Sequence, residues 1–282
     1  MRTKQDNEQS NRHRPVKQAT SIWRDPWWIS SLPFLLFLAI PLVAMLLSIS
    51  PGQLIENLSK PQVRQAITIS LKTTTITTLL TIIFGTPVAY ILARRQFPMR
   101  RAIDTLIDLP IVLPPAVAGV ALLITFGRQG VIGGWLSDQG IHIAFTQIAV
   151  IMAQTFVAAP FYVKAATIGF AAVDAEIEQA AAIDGAGTWQ SFRHVTVPLA
   201  WAAMLSGAVM TWARALGEFG ATILFAGNYL GRTQTMPLAI YIGFELDLDV
   251  ALTLAAILVV LSFLVLFVVK GILQRELYAV GR

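Results

Sequence analysis

The sequence predicts an all-α integral membrane protein with six transmembrane helices, and three observations carry that prediction. The chain of 282 residues is 55% hydrophobic and only 13% charged, against about 25% charged in soluble domains. Its apolar residues fall in six runs, 28–48, 66–93, 105–126, 143–169, 199–224 and 250–270, each offering the roughly 20 residues that a bilayer crossing needs. Lysine and arginine are unevenly shared between the two sides of those runs. Arg2, Lys4, Arg12, Arg14, Lys17, Arg24, Arg94, Arg95, Arg100, Arg101, Lys164, Arg193, Lys270, Arg275 and Arg282 fall on one side, and Lys60, Arg64, Lys72, Arg128, Arg214 and Arg232 on or toward the other. The positive-inside rule then puts the N- and C-termini in the cytosol.

Residues 1–26 are polar and lack apolar periodicity, which predicts a disordered cytosolic tail ahead of a transmembrane domain over 27–282. The first apolar run starts too far from Met1 for a cleaved signal peptide. With no cysteine there are no disulfides and no thiolate metal ligands. His13, His142 and His194 lie on separate segments, so no metal site is expected. The net charge of +5 could suggest nucleic acid, but the positive charges sit where a multi-pass topology wants them, so the expected surroundings are membrane lipid. The loops are too short for a soluble catalytic domain. No nucleophile and base stand at a recognisable spacing, so no catalytic residue and no cofactor is assigned.

The second run carries Thr74, Thr77, Thr78 and Thr81 on one helix face. Hydroxyls there suit a neighbouring helix better than lipid. The third run contains "DLPIVLPPAVAG", in which Pro110, Pro114 and Pro115 remove backbone donors and break the helix. Broken backbone at membrane depth has to be surrounded by protein or line a wet cavity. Asp104 and Asp108 share a face at the start of that run, a turn from Arg100 and Arg101, and read as a satisfied surface cluster. In the fifth run Arg214 and Glu218 stand four apart. They read either as a structural ion pair or as lining of a pathway, since charges at that depth face a bundle interior or a water-filled space. Gly217 and Gly220 bracket Glu218 and permit close approach of another helix or a ligand. Glu245, Asp247 and Asp249 lie in the last outer loop, where solubility or contact with another protein explains them.

Between the fourth and fifth runs, about 170–198, stands "EQAAAIDGAGTWQSFRHVTVPLA" (178–200). Asp174 is a good N-cap, and Glu176 and Glu178 suit the positive end of a helix dipole. Val173, Ile177, Ala180 and Ala181 form one apolar edge. Gly185 ends that helix, Thr188 can cap a second one carrying Trp189, Phe192 and Val195, and Pro198 opens the fifth run. One reading is an amphipathic connector lying on lipid headgroups. Against it, the first helix is acidic and its apolar edge is largely alanine, which suits close packing into a protein groove.

This segment resembles the signature loop of the membrane-spanning subunits of binding-protein-dependent ABC importers, Glu-Ala-Ala, three residues, Gly, then nine residues to Ile-x-Leu-Pro. Ala180, Ala181, Gly185 and Pro198 match; Gln179 precedes the alanine pair with Glu178 one earlier, and Val195 and Val197 replace Ile and Leu. The resemblance covers the second to sixth runs. It implies the permease fold of such importers, a homodimer, and a coupling helix per protomer that docks on an ATP-binding cassette ATPase, two copies per transporter. Coupling residues are then Glu178, Gln179, Ala180, Ala181, Gly185, Ala186 and Trp189. The chain itself has no GxxxxGK[ST] phosphate loop.

"RALGEFGAT" (214–222), "FAGN" (225–228) and "GRTQTMPLAIY" (231–241) resemble the oxyanion branch of that family, molybdate and tungstate permeases more than sulfate ones. The branch implies an extracytoplasmic oxyanion-binding protein as partner and a multi-pass location in the plasma (inner) membrane. Pathway candidates are Arg214, Gly217, Glu218, Gly220 and Thr222. The alternatives are a sulfate or thiosulfate ABC permease, or a stand-alone channel or membrane enzyme in which 170–198 is only a connector.

Overall fold

The computed structural model describes the backbone of residues 26–280 and the side chains of 29–271, and every regular element among the described residues is helical. The expected N-terminal tail lies outside the described residues. The chain forms two compact units, Met1–Leu47 and Ser48–Arg282. In the first, α1 (Pro26–Leu47) is apolar on all faces and exposes Phe34, Phe37 and Leu47, as a lipid-bathed helix does.

The second unit begins with α2 (Pro51–Ser59), started by a capping box in which Ser50 and Gln53 exchange backbone-to-side-chain hydrogen bonds. Next comes α3 (Pro61–Arg94), 34 residues long. The third run is two helices, α4 (Arg100–Val112) and α5 (Pro115–Phe126), bent by 115° at Leu113–Pro114. Each arm is about 18–20 Å long at 1.5 Å per residue, too short alone for a ~30 Å hydrocarbon layer. The short α6 (Gly133–Asp138) leads to α7 (Gln147–Ala172), whose N-cap Thr146 accepts from Ala149 N–H at 3.4 Å. Then follow α8 (Ala175–Ile183), α9 (Thr188–Ser191), a π-helical turn over Phe192–Thr196, and α10 (Val197–Leu216). Last come α11 (Gly220–Phe225), α12 (Met236–Leu246) and α13 (Leu248–Val280).

Five helical stretches among the described residues are long and apolar enough to cross a bilayer: Ile29–Leu47, α3, α7, Thr188–Leu216 and Leu248–Gly271. The bent α4–α5 pair makes a sixth if counted as one span. The run 199–224 is not one helix, because it stops at Leu216 and resumes as α11. The last long loop also differs from expectation, since it contains α12.

Helix α7 is the centre of this unit, packed between α3 and α10. Lipid offers no hydrophobic drive for helices to associate, so contact depends on small residues and polar bonds. Both are present. A Cβ added to Gly169 would stand 2.5 Å from Ala203 Cβ, and one on Gly207 would stand 2.7 Å from Ala165 Cβ. Thr211 Oγ1 donates to the Ala158 carbonyl at 3.1 Å. On the other side the threonine stripe faces protein, as expected: Thr77 Oγ1 donates to Gln154 Oε1 at 3.2 Å, while Thr78 and Thr81 donate to carbonyls one turn back.

Three apolar clusters fill the unit. One joins α5, α11 and the first half of α7; one joins the end of α3, the second half of α7 and the start of α10; one joins the start of α3 to α12 and α13. The acidic pair on α4 is satisfied differently from the sequence reading. Asp104 and Asp108 meet Lys164 of α7 at 2.6 and 2.8 Å, so Lys164 is a tie between helices and not a loop charge. Lys60 meets Asp247 at 3.1 Å and joins the α2–α3 junction to the α12–α13 corner.

Two outcomes follow from this packing. Gly207→Val should destabilise the α7–α10 seam by about 1–3 kcal/mol through overpacking, measurable as an earlier thermal transition in detergent. The Lys60 hydrogen bond holds the Asp247 carboxyl below its ordinary value. Its folded pKa being depressed, the contribution is complete above the ordinary value of 3.8 and is lost as pH falls through the lowered one. Asp247→Asn should therefore remove part of the acid dependence of unfolding below pH 3.8, and pH-dependent melting curves will check it.

Candidate functional site: the 173–198 elbow and the break after Leu216

The elbow is built by three local signals. Asp174 Oδ1 accepts from Glu176 N–H at 2.9 Å and starts α8. Gly185 stops it with φ of +92°. There the Ala186 N–H reaches the Ala181 carbonyl at 2.9 Å and the Gly185 N–H reaches that of Ala182 at 3.1 Å, which together form a Schellman motif. A Cβ on Gly185 would meet nothing within 4 Å. The glycine is therefore required by the left-handed backbone and not by crowding.

The second half departs from expectation. Gly187, not Thr188, is the cap of α9: its N–H donates to Gln190 Oε1 at 2.8 Å and Thr188 is the first helical residue. The helix then runs into α10 without a stop, through the π turn. Pro198 cannot donate to a carbonyl one turn back and its ring crowds that turn. The wider π turn just before it accommodates the proline without ending the helix.

The elbow has an anchored face and an open one. Phe192 packs edge-on against Tyr90 of α3, with centroids 4.8 Å apart, and lies 6.0 Å from Phe170 of α7. Glu178 accepts from Arg94 at the end of α3. On the open face Ile177, Gln179, Ala180, Gly185, Ile183 and Trp189 are exposed, Ile183 at 86% and Trp189 at 68%. Ala181 and Ala186 are half-buried. Apolar side chains this exposed, beside a helix too poor in large apolar residues to sink into lipid, form a surface that lacks a partner in the isolated chain.

The second set of residues lies where α10 ends. Arg214 Nη1 and Glu218 Oε2 are 2.8 Å apart, and Glu218 Oε1 accepts from Ala221 N–H at 2.8 Å. Both carboxylate oxygens are thus used, one in an ion pair and one in capping α11. Glu218 is 1% exposed, whereas the Arg214 side chain keeps 30%. Gly220 abuts the broken third segment, for a Cβ there would stand 2.9 Å from Pro115 Cβ. On the facing helix a Cβ on Gly119 would stand 2.8 Å from the Ala221 carbonyl oxygen. Thr222 is buried and its hydroxyl has no partner, while Gly217 is exposed. The structure therefore brings Arg214, Gly217, Glu218, Gly220 and Thr222 together at one helix break, with Gly217 exposed, Arg214 and Gly220 partly so, and Glu218 and Thr222 buried.

Sequence reasoning missed Arg94 and Thr196, which converge on Glu178. It placed Arg94 among loop arginines, and nothing local links residues 84 positions apart.

Comparison with known proteins identifies the family. Residues 85–277 match the family model of the binding-protein-dependent transport system inner membrane component. The molybdenum transport system permease protein ModB of Mycobacterium tuberculosis is 40% identical over 242 residues, covering 85% of this chain and 92% of that protein. The sulfate transport system permease protein CysT of Escherichia coli is 34% identical over 244 residues, covering 85% and 88%. Among solved structures, a bacterial ABC transporter involved in the import of the acidic polysaccharide alginate superposes with a TM-score of 0.69 at 17% identity, covering 87% of this chain and 92% of that one. The chain is a multi-pass membrane protein that belongs to the family of binding-protein-dependent transport system inner membrane components.

Proposed function

We propose that this chain is the permease subunit of an ATP-driven oxyanion importer, two copies of which enclose a pathway for molybdate or tungstate. The observation that supports it most directly is the two-faced elbow. One face is bonded to the membrane helices and the other leaves Ile183, Trp189 and the alanine edge largely exposed, Trp189 touching only the edge of the elbow through Phe192. Such a surface fits a cleft on a separate ATPase, and the chain has no phosphate-binding loop of its own. Each protomer engages one ATPase subunit at the cytosolic side, and a binding protein delivers the anion to the opposite side. Molybdate is favoured over sulfate by the higher identity to the molybdenum permease, 40% against 34%.

In this reading Arg214 and Gly217 are the lining candidates, Gly217 being exposed and the charged Arg214 side chain keeping 30% of its surface accessible. Glu218, Gly220 and Thr222 shape the helix break behind them. The guanidinium would offset part of the anion's desolvation, and a binding protein that selects the cargo leaves the pathway little selection to do.

The test is reconstitution of the chain with its ATPase and binding protein in vesicles, measuring ATP-dependent molybdate uptake with sulfate as competitor. Uptake that needs ATP and resists excess sulfate is the expected result; uptake by the chain alone, or preference for sulfate, refutes the reading. Gly185→Val should cut uptake by on the order of tenfold or more, because a β-branched residue does not hold φ of +92°. Gly185→Asn, which tolerates that backbone better, should retain most of it. Arg214→Gln should slow uptake while the ATPase still co-purifies, and a normal rate would show that Arg214 lines nothing.

A further inference from the structure

A polar node fastens the elbow to the bundle. Arg94, the last residue of α3, donates through Nη2 to the Val173 carbonyl at 2.9 Å and to Glu178 Oε1 at 3.0 Å. Thr196, in the π turn that opens α10, donates to that same oxygen at 2.5 Å. The arginine and glutamate side chains are 16% and 20% exposed, so water screens the pair far less than it screens a surface salt bridge. One carboxylate oxygen thus gathers the end of α3, the start of α10 and the first turn of α8.

We propose that Arg94 is a positioning residue for coupling: by holding Glu178 and the Val173 carbonyl together it makes α8 move with α3, and Glu178 serves inside the chain instead of as a contact to the ATPase. This rests on the elbow being the coupling loop. The acceptor side supports it, since Glu178 Oε1 takes two hydrogen bonds from within the chain and the residue is half-buried against the end of α3 and the π turn, not on the open face. The transmitting side supports it as well. About five turns before Arg94, the buried threonine face of α3 is bonded to Gln154 of α7 through Thr77 and Thr74. Displacement of α8 therefore reaches the central helix through α3 and the fifth membrane segment through Thr196. Without the node, the elbow would be held by apolar contacts, the Tyr90, Phe170 and Phe192 rings together with Val173 and Val197, which have less directional preference than a charged hydrogen bond.

Two measurements test this together. With the full chain in lipid nanodiscs and no partner, Arg94→Met and Thr196→Val should speed amide hydrogen exchange across 175–186, and Arg94→Lys should bring it back toward the unaltered rate. Unchanged exchange in Arg94→Met overturns the node. In vesicles holding the chain with its ATPase and binding protein, Arg94→Met should lower molybdate carried per ATP hydrolysed by on the order of tenfold, with ATPase co-purification unchanged. Loss of co-purification would place the pair in the docking face and overturn the proposal, as would an unchanged transport ratio. Failure of the unaltered chain to show any ATP-driven uptake would overturn the proposed function and the coupling with it. An unaltered chain that does show ATP-driven uptake, with an Arg94→Met variant that carries as much molybdate per ATP, would overturn the coupling alone.

Discussion

The structure depends on the closeness with which α7 approaches its two neighbours. In a bilayer the alternative to a helix–helix contact is an equally apolar lipid tail, so association has to come from fit and from polar bonds. The α7–α10 side supplies fit: Gly169 against Ala203, and Gly207 against Ala165 and the Tyr162 backbone, leave no room for one more carbon. The α7–α3 side supplies polarity through Thr74, Thr77 and Gln154, buried where an unpaired amide would cost free energy. A helix held on both flanks in these two ways has one register, and that register decides where its end delivers the elbow.

The broken segments follow from the same constraint. Pro114–Pro115 and Gly217–Phe219 each interrupt a span, and an interruption exposed to lipid would leave backbone donors and acceptors unmet. They are tolerable because they meet each other. Gly220 abuts Pro115, Gly119 abuts the Ala221 backbone, and α5 and α11 together pack on the first half of α7. Glu218 completes the arrangement by capping α11 with the oxygen that Arg214 leaves free. Two breaks thus form one compact joint.

What the sequence revealed and what it concealed divide along chain distance. The start of α8 at Asp174, its stop at Gly185, the protein-facing threonines and the Arg214–Glu218 pairing are set by residues within about one turn of each other, and all were legible. One local reading still missed: Thr188 looked like a cap, but the left-handed turn at Gly185 brings Gly187 into the cap position. Pro198 stands in the first turn of α10, as read, with a π turn leading into it. The partners of Lys164, Glu178 and Lys60 were not legible, because each lies on a segment far away in the chain and the choice among several arginines and acids is made by tertiary packing. Both α2 and α12 were hidden for a further reason: α2 is a short helix in a polar stretch, and α12 is apolar but, at 11 residues, too short to read as a crossing.

The two glutamates held by arginine show how the same chemistry serves different mechanical ends. Glu218 and Arg214 are four residues apart on one strand of backbone, so their bond stiffens a local turn and moves with it as a unit. Glu178 and Arg94 join elements separated by 84 residues, so their bond carries force between bodies that would otherwise slide. A local pair cannot transmit motion from one helix to another; a distant one can do little else. In the proposed coupling role, the open face of the elbow, with Ile183 and Trp189, is to be free for a partner, and the anchored face is to be unyielding so that the partner's push travels further. Placing the charge on the anchored face and leaving apolar surface on the open one meets both needs, since apolar contact can form and release with each cycle while the ion pair stays closed.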